Sequence, residues 1–275
     1  MKKLILFLAS LLTAGVVLAQ DPSPYWLRVA RGDYDQSVLK HGHNGDVDAT
    51  PDETAWPYGG TYDWEKANGA STGTTLAITS SSADDTSDGT GARTVYIHGL
   101  DENYAEINET VTLNGTSEVA SVNTYLRVNG ARVETVGSGY VNAGIIYLSE
   151  TNGLALTDGV PDSGDDIFRT IEIGDGKDHC AMYTIPAGKT GYLLSVICAL
   201  EAAATQVGSF SIYARPYGLS WRVLLDKGVS AASPALVHFA IPRKLTEKTD
   251  IEIRVGAGQA DTKIASCFEI LLVDD

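Results

Sequence analysis

The feature that most limits the fold of this chain is a rhythm. From residue 74 onward, short runs rich in apolar and β-branched residues alternate with turn formers at intervals of roughly ten residues. Runs at 74–79, 93–98, 104–113, 118–128, 131–136 and 144–148 read as the strands of a first block. Asn114-Gly115 and Asn129-Gly130 fall between such runs, and Asn-Gly flanked by alternating apolar residues is a strong short-range hairpin signal. Residues 80–91 (SSSADDTSDGTG) read as a polar loop. The only helix-like hint is Ala202-Ala203-Ala204, far too short to set a helical period.

A second block follows, with strands expected at 168–173, 181–185, 191–200, 208–215, 221–225, 235–241, 250–255 and 264–273. Ile251, Glu252, Ile253, Arg254 and Val255 alternate strictly, which places Ile251, Ile253 and Val255 on a buried face. Eight strands suit a jelly roll or a similar antiparallel sandwich. Between the blocks, residues 150–166 (ETNGLALTDGVPDSGDD) combine turn formers with five acidic groups and read as a linker.

The N-terminal part has a different character. Lys2 and Lys3 precede an apolar run from Leu4 to Leu18 broken by Ser10, Thr13 and Gly15, and Val17 and Ala19 occupy the −3 and −1 positions before Gln20. This is the layout of a secretory signal peptide cleaved between Ala19 and Gln20. The run is shorter than the roughly 20 apolar residues of a membrane span, and Asp21, Pro22 and Pro24 follow it at once. No membrane association is expected after its removal. Residues 20–70 lack periodicity but hold three of the four Trp residues, Trp26, Trp56 and Trp64, together with Tyr25, Tyr58 and Tyr62. A segment this aromatic gains free energy by lying along a neighbour, in its own subunit or another.

The expectation is therefore an all-β protein: two antiparallel β-sandwich, jelly-roll-like modules with an irregular aromatic N-terminal arm. Its parts are a signal peptide (1–19), an extended arm (20–70), a first sandwich (71–149), an acidic linker (150–166) and a second sandwich (167–275).

Net charge is −15, so a phosphate backbone repels the chain on average and a nucleic-acid partner is not expected. The three cysteines, Cys180, Cys198 and Cys267, are too few and too widely spaced for a disulfide framework or a zinc site, and allow one bridge at most. No Gly-x-Ser-x-Gly or Ser/Cys–His arrangement marks a nucleophile. His41 and His43, with Asp46 and Asp48 nearby, carry metal-ligand chemistry but read as an exposed turn around Gly42 and Gly45. Asp84, Asp85, Asp88 and Gly89 resemble part of a calcium loop without its bidentate Glu, and Asp158, Asp162, Asp165 and Asp166 form a second acidic cluster. Solvated loop carboxylates are the commoner use of such clusters; structural calcium is the one cofactor they leave open. Among 35 acidic residues pairs always occur, but the aromatic platforms of a sugar-cleaving cleft are absent from the second block except for Trp221. No catalytic or metal-ligating residues are assigned.

Several segments, taken in order, carry a resemblance: residues 27–32 (LRVARG), 41–48 (HGHNGDVD), 84–95 (DDTSDGTGARTV), 99–101 (GLD), 109–116 (ETVTLNGT), 183–192 (YTIPAGKTGY) and 247–251 (EKTDI). Together they resemble a family of tailed-bacteriophage virion structural proteins common in marine phages. The resemblance implies a β fold and an assembly role, and brings no catalytic residues. The chain departs from the family in the signal-like segment before Leu27, because a virion protein that assembles in the cytoplasm has no use for export.

These readings converge on a non-enzymatic structural subunit that self-assembles or decorates a larger assembly, as a homo-oligomer whose partners are its own copies and other subunits. A virion component (head decoration, collar or fibre) is expected from the resemblance. A secreted cell-surface or filament subunit is the alternative that the signal-like segment favours, and an exported carbohydrate-binding or adhesive module is a third. The location is accordingly virion or extracellular. Tyr25, Trp26 and Leu27, between Pro24 and Arg28 and outside any β pattern, are the candidate assembly contacts.

Overall fold

A computed structural model describes residues 24–33, 35–48, 52–65, 72–150, 156–162, 167–201, 206–259 and 261–275. In chain order the elements are α1 (Tyr25–Arg31), β1 (Gln36–Val47), β2 (Glu53–Thr54), β3 (Thr74–Ser80), β4 (Ala92–Leu100), β5 (Glu106–Thr112), β6 (Val119–Tyr125), β7 (Arg127–Val136) and β8 (Ile146–Glu150). They continue with β9 (Leu156–Thr157), β10 (Val160–Pro161), β11 (Ile167–Ile171), β12 (Met182–Thr184), β13 (Lys189–Glu201), β14 (Val207–Arg215), β15 (Arg222–Ser230), β16 (Ala235–Leu245), β17 (Asp250–Ala257) and β18 (Thr262–Asp274). The all-β expectation holds, with one short helix.

Eight strands build a jelly roll. One sheet has the order β1-β18-β13-β16 and the other β12-β17-β14-β15. The antiparallel pairs are nested: β1 with β18, β12 with β17, β13 with β16, and β14 with β15. Such nesting is a long hairpin rolled onto itself, the jelly-roll connectivity. Phe210, Ile212, Ile251, Ile253, Val255, Phe268 and Ile270 fill the space between its sheets.

The first block is inserted in this roll, between β1 and β12. Its sheets have the orders β11-β8-β3-β6 and β5-β4-β7, closed over Leu76, Ile78, Val95, Ile97, Ile146, Leu148 and Phe168. At one corner Glu109 joins the two edges. Its carboxylate accepts hydrogen bonds from the Val122 N–H (2.8 Å), the Asn123 N–H (3.0 Å) and the Tyr125 hydroxyl (3.0 Å).

Four local expectations change. Residues 20–70 are not an irregular arm throughout: β1 pairs with β18 from Gln36–Leu272 to Val47–Thr262. Its inward positions include Lys40, Gly42 and Asn44, so no apolar alternation marks it. Gly42 is required there, since a Cβ would lie 2.5 Å from the Ala181 Cβ. Second, Ile167–Ile171 pairs with β8 and completes the first module, so the structural boundary falls after the acidic stretch rather than within it. Third, Asn114-Gly115 does turn the chain, with the Ser117 N–H donating to the Asn114 carbonyl, but β5 and β6 lie in different sheets. Fourth, Asn129-Gly130 is no turn; it lies inside β7.

Asn129 shows why. Its Nδ2 donates to the Thr184 carbonyl and its Oδ1 accepts from the Thr184 N–H, both at 2.9 Å, so one amide does for Thr184 what a neighbouring strand would do. Around it runs a buried polar seam between the modules. Lys40 donates to the Asn129 carbonyl (2.7 Å), and Asp250 accepts from Arg127 (3.0 Å), Arg215 (2.8 Å) and Thr184 (2.7 Å). Trp56, Tyr62 and Trp64 pack beside the seam with Tyr147, Ile167, Cys180 and Met182, so these aromatics lie along their own chain.

Candidate assembly surface

The insertion, β2 and the aromatic segment lie on the β1 and β12 side of the roll. The opposite side is open: among the described residues β15 pairs only with β14, and β16 only with β13. In β16 the ladder skips from His238 to Arg243 while β13 advances from Ser195 to Leu193, so Phe239, Ala240, Ile241 and Pro242 bulge outward. Pro242, Arg243 and Lys244 blunt this stretch against strand addition. Yet Ile241 is 81 % exposed and Leu236 66 %. Leu236 pairs with Ile197, which in turn pairs with Cys267. Directly paired residues share a face, so Leu236, Ile197 and Cys267 form a band across the outside of the first sheet. A cavity of about 570 Å³ opens beside it, lined by Val207, Lys227, Val229, Pro234 and Leu236.

The residues singled out at the N-terminus lie on α1, which packs next to β1. Gly32, in the left-handed conformation at φ 74°, ends the helix. Val29 is its buried residue; Leu27 is half-buried, and Trp26 is 68 % exposed. Tyr25 donates to the Asp35 carboxylate at 2.5 Å. Trp26 thus has local structure but is largely uncovered among the described residues. Ala19 and Gln20 lie outside the described residues.

The other polar candidates separate. Asp85 is fully buried and is a structural hub, not a solvated ligand. Its Oδ1 accepts from the Ala92 N–H (2.6 Å) and the Ala143 N–H (2.8 Å), and its Oδ2 from the Ser80 hydroxyl (2.6 Å) and the Gly144 N–H (2.8 Å). A hydrogen bond from Asp261 and the charges of Asp48 and Glu53 push the Asp46 carboxyl above its ordinary range. Asp162 accepts from the Thr157 hydroxyl at 2.7 Å, while Asp165 and Asp166 lie outside the described residues. Among the described residues no group of three or more His, Cys, Asp or Glu side chains is arranged to hold a metal ion. All three cysteines are free thiols, and burial pushes Cys180 and Cys198 up to about 12. Among the described residues no helix is long and apolar enough to cross a membrane.

Sequence reasoning missed the apolar band and the buried seam. Charged residues inside strands, such as Lys40, Arg127 and Arg169, were a visible signal, but their partners lie far away in the chain.

No family model matches the chain, and no curated protein matches it. Among solved structures it is similar to a structure of the infectious bursal disease virus Gx strain, at 11 % identity over 87 % of this chain and 72 % of that one, with a TM-score of 0.24. It is likewise similar to the crystal structure of the infectious bursal disease virus VP2 subviral particle, at 10 % identity over 88 % of this chain and 73 % of that one, with a TM-score of 0.22. At these scores the fold assignment rests on the strand pairing alone.

Proposed function

We propose that the protein is a non-enzymatic structural subunit that self-assembles or coats a larger assembly, as a virion component of the head-decoration, collar or fibre kind. The observation that carries the assembly role is the uncovered apolar band of Leu236 and Ile197 with Ile241 at the bulge beside it. Exposed apolar side chains grouped on one face mark an interaction site. The blunted stretch of β16 favours side-chain docking over open-ended strand addition. The virion assignment adds the ordered motifs between residues 27 and 251, which resemble tailed-phage virion proteins. An exported surface or filament subunit is the second reading, favoured by the signal-like residues 1–19.

Sedimentation velocity over a range of concentrations tests the assembly role. The full chain is expected to form a discrete oligomer, and the double variant Leu236→Lys/Ile241→Lys to dissociate at an unchanged melting temperature. A native chain that stays monomeric throughout overturns the proposal.

A further inference from the structure

A cleft between the two modules concentrates positive charge in a chain whose net charge is −15. Its volume is about 280 Å³, and its lining includes Lys40, His41, His98, Arg132, Lys177 and Asp178. The only carboxylate in that lining is already divided between Lys40 (3.5 Å) and Arg169 (3.4 Å). Glu134 holds Arg132 at 2.9 Å. Lys177 is exposed and has no ion pair among the described residues. Within the lining three cations, Lys40, Arg132 and Lys177, therefore stand against one carboxylate, Asp178, an excess of two positive charges, and outside it Asp175 pairs with His179 at 3.2 Å.

The backbone makes this crowding costly. Arg132 and Lys177 are partners in an isolated antiparallel bridge. The Val133 N–H donates to the Gly176 carbonyl at 2.7 Å and the Asp178 N–H to the Ala131 carbonyl at 3.0 Å, which brackets Arg132 and Lys177 as a pair without mutual hydrogen bonds. In such pairs the side chains are closest, and like charges directly opposite each other destabilise the pairing. Arg132 is further fixed by stacking on Tyr96, 4.0 Å from the ring centroid. His98 stands over Gly130, where a Cβ would meet its Nε2 at 2.4 Å. His41 comes from β1, its ring 6.5 Å from that of His179. Donors from both modules thus converge on one opening.

We propose that this cleft binds a tetrahedral oxyanion, a phosphate or sulfate group, held chiefly by Arg132 and Lys177 with His41 and His98 at its wall. The charge of such a dianion matches the excess, and its oxygens accept from several directions at once, as the separate donors require. The electrostatics agree. Burial, then Lys177, His179 and Lys40, hold the His41 imidazole below its ordinary value, and burial followed by Lys40 pulls His98 down to about 4.

The test is titration of the full chain with sodium phosphate, and separately with sodium sulfate, against sodium chloride at equal ionic strength. Calorimetry and the histidine ring signals in NMR spectra are the readouts. Saturable binding that moves His41 and His98 and falls about tenfold or more in Lys177→Gln is expected, while Lys244→Gln, on the far β16 edge, binds as the native chain does. In anion-free buffer Lys177→Gln should melt higher than the native chain, and added phosphate should raise only the native melting temperature. A sulfated oligosaccharide distinguishes the source. If it binds through Lys177 where the free ions do not, the group arrives on a polymer; if the free ions bind, the site takes small anions. No saturable response to any of the three, or equal binding by Lys177→Gln, overturns the proposal.

Discussion

Asp85 illustrates how one residue supports a loop that composition marks as solvated. Its carboxylate ties the 80–91 segment to Ala143 and Gly144 through the four hydrogen bonds described above. Gly91 is needed beside it, because a Cβ there would come within 2.1 Å of the Asp85 Oδ1. Removing the carboxylate leaves three backbone N–H groups and a hydroxyl without their acceptor. Asp85→Ala is therefore expected to cost roughly 3 kcal/mol or more. Urea denaturation followed by circular dichroism checks this, and a loss below about 1 kcal/mol would show that water replaces the carboxylate. Asp88, exposed in the same loop, supplies the control.

At the scale of elements, α1 and β16 carry the exposed apolar side chains on which the proposed assembly rests, Trp26 on α1 and Leu236 and Ile241 on β16. Trp26 presents its ring from α1 while Val29 anchors the helix, so the two roles are separable. A Trp fully buried at an interface is worth about 2 kcal/mol or more. Trp26→Ala is expected to weaken oligomers by that amount at an unchanged melting temperature, read by light scattering and thermal melting. Equal assembly of both proteins would leave the β16 surface as the sole contact. A variant that simply unfolds would place Trp26 in its own subunit's packing.

On the scale of the whole molecule, the chain runs from the jelly roll into the insertion and back. The roll needs β1 from before the insertion, and the first module needs β11 from beyond the acidic stretch. Cutting between residues 150 and 166 therefore severs both sheets. A fragment of residues 167–275 lacks β1, the edge partner of β18, and leaves Thr184 and Asp250 without Asn129 and Arg127. It is expected to be unfolded by circular dichroism and hydrogen exchange. A fragment with native-like protection would show that the roll tolerates the loss of an edge strand and of the seam.

The fold class and most strands of the roll were legible because they depend on local pattern. The alternation of Ile251, Ile253 and Val255 reports a face, and a face is decided by neighbours in sequence. The same holds for the turn at Asn114-Gly115, although not for what that turn connects. β1 was illegible because its central inward residues, Lys40, Gly42 and Asn44, answer to the seam, Ala181 and Glu53 rather than to an apolar core. Asn129-Gly130 misled for the same reason, since the amide serves Thr184 and the glycine makes room for His98. The seam and the cationic cleft join residues more than a hundred positions apart along the chain, such as Lys40 and Asp178 or Arg127 and Asp250, and the apolar band joins Ile197, Leu236 and Cys267 from three separate strands. Sequence by itself determined the β class, most strands and their apolar faces; only the tertiary structure decided the strands built on buried polar residues and which strands pair, because these are settled by long-range packing and by the partners available to buried polar groups.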